Sequence, residues 1–270
     1  PGNLLAFGAF RLDDAGKLFF PRGRCAAGDA KPQSVDLGAI REDVHRAWYE
    51  ASGAGHPATS STKPQYPKQD AYSWVKAPRY GGKAYECGPL ARLRMAGLFD
   101  AKPSVIGRLR ARAAESLHLA RAMRGWLAEL DPAKPHLADV TLPENAEACG
   151  LTEAPRGALG HWLRLEGGKI AHYQVLTPTC WNASPRDKEG VAGPLELALV
   201  GTPVADEKAA IEVLRVIHSI DPCMDCAVHV AHPGPDQKVF AVGHYHAGDE
   251  TPHPHVHTNE QPGHKPRHDG

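Results

Sequence analysis

Apolar positions recur at steps of three and four along one stretch: Val105, Leu109, Ala113, Leu117, Ala120, Met123, Leu127 and Leu130. That spacing lines one stripe of an α-helix. Ser104 offers an N-cap oxygen, and Asp131-Pro132 stops the helix. The pattern predicts a helix over 104–130, roughly 40 Å long at about 1.5 Å per residue. A helix that long with one apolar face needs helical partners. The chain supplies few, so partners are expected in a further portion of the protein or in another subunit. A second helix is predicted over 206–218, with Ile211, Leu214 and Ile217/His218 inward. A short one is expected around 41–50.

The clearest β signal is His161 to Val175, two alternating runs flanking Gly167-Gly168. Two glycines between such runs predict a tight hairpin turn. Pairing about that turn matches positions whose numbers sum to 335, so Arg156 falls opposite Thr179. Two proline-bearing loops, 153–157 and 177–182, are thereby expected at one end, away from the turn. Residues 1–35 mix short apolar runs with Gly and Pro and read as short strands joined by turns. Residues 51–70 read as a surface loop, and Tyr72 to Tyr80 as an ordered loop packing its rings. Beyond position 229, Val239 to Val242 reads as a short strand. The remainder reads as a disordered tail that holds eight of the sixteen histidines.

The 270 residues suffice for a large core. Lys plus Arg and Asp plus Glu are both 31, for zero formal net charge. That balance gives no electrostatic case for nucleic acid or an anionic membrane. No apolar run is long enough to span a bilayer. The opening residues, Pro1 to Gly8, have neither an initiator Met nor a targeting signal, and the chain is expected to be a fragment or a processed piece.

Of the six cysteines, Cys25, Cys87 and Cys149 read as small core residues. Cys223 and Cys226 have ligand spacing within Asp221-Pro222-Cys223-Met224-Asp225-Cys226-Ala227-Val228-His229. The residues alone leave three uses open: a structural zinc half-site, a redox dithiol, or half of a thiolate set for a soft metal. A thioredoxin-like dithiol should open a helix after a strand. Here the pair follows a helix and an Asp-Pro break.

The string Asp-Pro-Cys-x-x-Cys-x-x-His resembles the C-terminal motif of the nickel–iron hydrogenase large subunit. Five further stretches are similar to that family, in its order: Ala47 to Tyr49, Tyr72 to Tyr80, Gly88 to Arg92, Glu153 to Trp162, and Thr179 to Asp187. The resemblance covers residues 1–230. It implies an α+β fold, the mainly helical hydrogenase large-subunit architecture with a small antiparallel sheet. It also implies two parts: 1–229, the C-terminal half of the large subunit, and 230–270, a His-rich extension removed on maturation.

By the same resemblance, Cys223 is a terminal nickel ligand and Cys226 bridges nickel to an iron that carries carbon monoxide and cyanide. Arg156 stands over the open side of the metals, and Asp221 orients it. Pro155, Leu159, Pro178 and Thr179 line the pocket of the diatomic ligands. His229 and the Val175 carbonyl hold a magnesium ion, with Lys76 near its water shell. The implied reaction is reversible heterolysis of H2 by an uptake hydrogenase, with Cys223 taking the proton. Electrons leave through iron–sulfur clusters of a small-subunit partner. A nickel-dependent maturation endopeptidase and metal-insertion factors complete the implied partners. Membrane contact is expected only through partner subunits, with a periplasmic location through a co-exported small subunit or a cytoplasmic one.

Some of the family pattern is missing. Its other Cys-x-x-Cys pair, an N-terminal acid and an acidic magnesium ligand are absent from this chain. Cys180 stands where Thr or Ser is usual, and Asp225 where a small apolar residue is usual. A hydrogen-sensing subunit and a non-catalytic metal-binding or assembly protein are the alternative readings. The C-terminal extension speaks against the sensor.

Overall fold

The computed structural model describes residues 2–134, 137, 140–206 and 209–223, with the backbone of 228–231, 239–242 and 256–257. Residues 1–222 form one compact unit and 223–270 a second. Helices and small antiparallel sheets both occur, so the fold is α+β.

In the first unit, strands β1 (Leu4–Ala6), β2 (Ala9–Arg11), β3 (Leu18–Phe20) and β4 (Gly23–Cys25) pair as β1 with β4 and β2 with β3. These are the short strands expected before residue 35. The predicted helix around 41–50 is not formed. Residues 40–43 instead make β5 (Ile40–Asp43), paired antiparallel with β6 (Ala77–Tyr80). Its alternation explains this: Ile40 and Glu42 are buried while Arg41 is exposed, a period of two that a helix cannot keep on one face. The ring-rich loop before β6 packs as expected, with Trp74 against Trp48, Tyr49 and Tyr66.

Helix α1 (Pro89–Met95) is followed by α2 (Val105–Glu129), which Ser104 caps as predicted by accepting from the Gly107 amide. The buried face of α2 is not the predicted one. Leu109, Leu117, Met123 and Leu127 are exposed, whereas Gly107, Arg108, Ala111 and Glu115 are buried. A step of two residues turns about 200° around a helix, so the stripe lies nearly opposite the face this chain covers. The chain covers a face that carries charge, satisfied by ion pairs. Further along, Trp126 packs on Phe10 and Phe19, which ties α2 to the β2–β3 hairpin.

The central sheet has three strands, β7 (Ala146–Ala154), β8 (Gly157–Glu166) and β9 (Lys169–Leu176). The β8–β9 hairpin turns on Gly167-Gly168 as predicted, both with positive φ. Its register sums to 335 only next to the turn. A bulge at Arg164/Leu165 shifts the rest by one, so His161 pairs with Val175. Strand β7 was not anticipated. It pairs with β8 through Ala154↔Gly157, which makes Pro155-Arg156 the tip of a two-residue turn. Arg156 therefore sits at that tip, not opposite Thr179.

Short helices α3 (Pro178–Asn182) and α4 (Pro194–Leu199) lead to α5 (Ile211–Ile220). The start of α5 is later than predicted, because Ala210 takes a left-handed conformation in front of it. Val216, Ile217, Ser219 and Ile220 are its buried residues, whereas Ile211 and His218 are exposed. Helix α5 packs on α2 and α4, and α3 packs on β8. Leu5, Phe7, Ala158, Trp162, Leu176 and Trp181 share a core that also holds Cys87. Cys25 is buried as expected, while Cys149 is exposed on β7, an edge strand.

In the second unit, β10 (Val228–Ala231), β11 (Val239–Val242) and β12 (Val256–His257) form an antiparallel sheet. The strand expected at 239–242 is present. The disorder expected for the rest of the tail lies largely outside the described residues.

Candidate functional site

The site is built on the turn between β7 and β8. Gly157 has φ 137°, and a Cβ there would stand 2.4 Å from Cys87 Sγ and 2.7 Å from the Gly88 nitrogen. Only glycine lets the turn lie this close to the 87–88 backbone. Asn182 fastens that contact from α3. Its Oδ1 accepts from the Cys87 amide at 2.9 Å, and its Nδ2 donates to the Cys87 carbonyl at 3.0 Å and the Arg156 carbonyl at 3.5 Å.

Among the buried or half-buried arginines, Arg79, Arg92 and Arg156 differ in one respect. A guanidinium has five N–H donors. Arg79 spends its donors on Asp187 (2.7 Å), Ser184 Oγ and the carbonyls of Pro78, Pro185 and Val191. Arg92 spends its own on both oxygens of Glu115, on Glu153 and on the carbonyls of Ala154 and Pro155. Arg156 makes an ion pair with Asp221 at 3.5 Å, and its buried Nε has no hydrogen-bond partner. Its side chain is 34% exposed. Arg79 and Arg92 are fixed parts of the frame, whereas Arg156, a third exposed, keeps an unspent donor.

Asp221 ends α5. It adopts the left-handed conformation (φ 56°, ψ 59°), and its amide donates to the carbonyls of Ile217 and His218. Glycine is the usual residue in such a cap. A carboxylate here keeps the cap and adds a partner for Arg156. Pro222 then prevents the helix from continuing.

The other expected residues fall as follows. Pro155 is exposed beside Arg156, and Leu159 is half-buried on β8. Pro178 opens α3, and Thr179 is buried on it. The turn meets the end of α5 through the Arg156–Asp221 pair and meets α3, which carries Pro178 and Thr179, through Asn182. Cys223 is exposed and opens the second unit. The side chains of Cys226 and His229 lie outside the described residues. Among the described residues, no three of His, Cys, Asp and Glu converge on one point.

Val175, on β9, follows Gln174, whose side chain enters a buried polar cluster. Gln174 donates to both oxygens of Glu42 at 3.0 and 2.9 Å, and Ser60 donates to Glu42 at 3.0 Å. Lys76 Nζ is buried 3.6 Å from Glu42 and makes no hydrogen bond. Burial pushes the Glu42 carboxyl up and the Lys76 ammonium down, and each partner's charge opposes the shift. Cys180 lies close enough to feel both charges, and burial raises its thiol.

Sequence reasoning did not single out Glu42, Gln174, Asn182, Glu115 or Arg92 as site residues. Arg92 and Asn182 lie within the family-like stretches Gly88 to Arg92 and Thr179 to Asp187, which could have pointed to them; the contacts of Glu42, Gln174 and Glu115 join segments far apart in the chain, and no local spacing marks them. His161 and His172 bond Tyr173 and the Pro57 carbonyl, which suits structural roles.

Residues 1–102 and 97–229 match the family model described as nickel-dependent hydrogenase. The periplasmic NiFeSe hydrogenase large subunit of Desulfomicrobium baculatum is 37% identical over 256 residues, 85% of this chain and 50% of that protein. The hydrogenase-1 large chain of Escherichia coli is 35% identical, over 84% of this chain and 47% of that one. Among solved structures, the reduced Ni-Fe-Se hydrogenase of D. vulgaris Hildenborough superposes with a TM-score of 0.77 at 36% identity, over 83% of this chain and 52% of that one. The chain thus spans about half the length of the curated relatives it matches. With the family model matched from residue 1 to 229 and a solved hydrogenase superposing over 83% of the chain, this chain belongs to the nickel-dependent hydrogenase family.

Proposed function

We propose that this chain is the C-terminal half of the large subunit of an uptake hydrogenase that oxidises H2 to protons and electrons. The observation that carries the reading is Arg156. It is anchored to Asp221, two residues before Cys223, and its buried Nε is unspent. A fixed cation at the mouth of a site suits a centre where charge develops. The mainly helical large-subunit architecture then belongs to the whole subunit, whose remaining portion would cover the outward stripe of α2.

The donor chemistry fits the implied centre by half. Cys223 and Cys226 are soft thiolate donors suited to nickel, and two more thiolates would have to come from elsewhere in the subunit. When bound, a Ni-Fe centre with carbon monoxide and cyanide on iron supplies the site at which H2 is split. Arg156 holds positive charge above the site, and Asp221 holds the guanidinium in place. Pro155, Leu159, Pro178 and Thr179 form the apolar and hydroxyl wall that receives the diatomic ligands and keeps water out. Cys223 accepts the proton as a thiolate and passes it on. The Val175 carbonyl and His229 would hold magnesium, with Lys76 near its water shell.

A small subunit carrying iron–sulfur clusters takes the electrons. Residues 230–270 are a maturation peptide, cut after His229 by a nickel-dependent endopeptidase once insertion factors have loaded the metals. The family match ends at 229, which supports that boundary. No helix among the described residues is long and apolar enough to cross a membrane. Any membrane association is assigned to partner subunits, at the periplasmic face through a co-exported small subunit unless the complex stays in the cytoplasm.

The test is metal analysis of the assembled complex with and without Cys226→Ser. Loss of nickel and iron from the variant is expected. Unchanged metal content would remove the thiolate pair from the site and with it the proposed function.

A further inference from the structure

The charged face of α2 grips both members of the Arg156–Asp221 pair. On one side, Glu115 holds Arg92 with both oxygens, at 2.6 and 2.7 Å. Arg92 in turn donates to the carbonyls of Ala154 (3.0 Å) and Pro155 (2.9 Å), the two residues before Arg156. On the other side, Arg112 donates to the Ser219 carbonyl at 3.1 Å and Arg108 to the Ser219 hydroxyl at 3.3 Å, two residues before Asp221. Arg108 is itself held by both oxygens of Glu86, each at 2.8 Å. Arg108, Arg112 and Glu115 are spaced by four and three along α2, so one rigid face reaches both sides.

We infer that Glu115, acting through Arg92, and Arg112, acting through Ser219, are positioning residues that set the geometry of the Arg156–Asp221 pair. This rests on the hydrogenase reading above. A buried Arg–Glu pair contributes little net stability compared with apolar packing of the same volume. What these pairs supply is orientation: a bidentate guanidinium fixes a plane as well as a distance. The Arg156–Asp221 contact is long, at 3.5 Å, and partly exposed, so Asp221 alone holds the guanidinium only loosely. Its alignment comes from the two backbone segments that α2 holds. A displacement of about 1 Å at such a site is enough to slow a reaction on the order of a hundredfold.

The test uses Glu115→Gln and Arg112→Gln, each alone and combined with Arg156→Lys, in the full-length large subunit assembled with its small subunit. Glu115→Gln keeps the shape and removes the charge. Each single variant is expected to lower kcat for H2 oxidation roughly tenfold at unchanged KM and metal content, and to have no further effect once Arg156 is lysine. Equal losses in both backgrounds would show a general structural role and overturn the inference. A second readout needs neither metals nor turnover: amide hydrogen exchange in the metal-free protein. Exchange at 154–157 should accelerate in Glu115→Gln, and exchange at 219–221 in Arg112→Gln, with the unfolding midpoint unchanged. Unaltered exchange at both segments overturns the inference. If the metal-loaded wild type turns over no H2, the hydrogenase reading falls and exchange alone decides whether α2 holds the two segments.

Discussion

Gly157 makes the sharpest test of how the Arg156 turn is built, because one added methyl group meets three close neighbours, two of them backbone. With φ at 137°, the backbone there suits glycine, and a Cβ would lie 2.4 Å from Cys87 Sγ, 2.7 Å from the Gly88 nitrogen and 2.9 Å from the Cys87 carbonyl carbon. Two of those atoms are backbone, and Asn182 pins that backbone with two hydrogen bonds. Gly157→Ala should therefore cost about 1–3 kcal/mol for the backbone conformation. Overpacking should add about 1–3 kcal/mol, for a total of roughly 2–6 kcal/mol. Gly150 is the internal control. It lies on the same hairpin, is exposed, and a Cβ there meets nothing within 4 Å. Gly150→Ala should change stability by less than about 1 kcal/mol, in the favourable direction if at all. Thermal and urea unfolding of the two variants beside wild type measure the difference. If Gly157→Ala unfolds within about 0.5 kcal/mol of the Gly150 variant, the close approach of turn and 87–88 backbone is wrong, and so is the placement of Arg156.

Arg79→Ala should destabilise by about 3–5 kcal/mol in chemical unfolding, because it strands the buried Asp187 carboxylate along with Ser184 and three carbonyls; Arg79→Met should cost no less, since length without charge restores none of those bonds. Arg156→Lys should leave the unfolding midpoint unchanged while lowering kcat for H2 oxidation at least about tenfold, since a point charge lacks the planar fork and the Nε donor; equal activity would remove the guanidinium from the mechanism. Burial holds the Glu153 carboxyl up, at about 7, against the pull of Arg92. A raised folded-state value stabilises at low pH, so stability should fall by up to about 3 kcal/mol as pH rises from about 4.5 to 7, and Glu153→Gln should flatten that slope in unfolding experiments.

What the sequence disclosed follows the range of the interactions involved. Local signals read well. Ser104 caps α2, Gly167-Gly168 turns the β8–β9 hairpin, and Asp221-Pro222 ends α5. Each depends on residues within a turn or two. The bulge at Arg164/Leu165 has no glycine or proline to announce it, so the register slipped by one beyond it. The helix expected at 41–50 failed because tertiary pairing with β6 overrode weak local propensity. The α2 stripe failed for another reason. Periodicity locates a greasy face but not which face this chain covers, and the covered face is held by ion pairs with partners 22 and 23 residues away. The motif residues themselves were legible. Glu115 and Gln174, which hold the motifs together, were not, because a single long-range contact leaves no spacing behind.

The balance of charge in the interior adds a last step. Arg79 faces Asp187, Arg108 faces Glu86, and Lys76 faces Glu42, each one cation to one carboxylate. Among the buried cations of the described residues, Arg92 alone faces two, Glu115 and Glu153. A buried surplus of one negative charge is costly, and the least costly response is for one carboxyl to keep its proton. That carboxyl is Glu153, with its oxygens shared between Arg92 and the Phe7 amide and its proton held to about pH 7. Glu153 lies three residues before Arg156, and Arg92 touches both Glu153 and the carbonyl of Pro155. Charge on this carboxyl therefore bears on the turn that carries Arg156. If both carboxylates ionise, the surplus strains the same guanidinium that holds the turn. Placement of Arg156 should then be firmest below about pH 7 and loosen above it, where Glu153 ionises in the folded protein and its contribution to the stability slope has already ended.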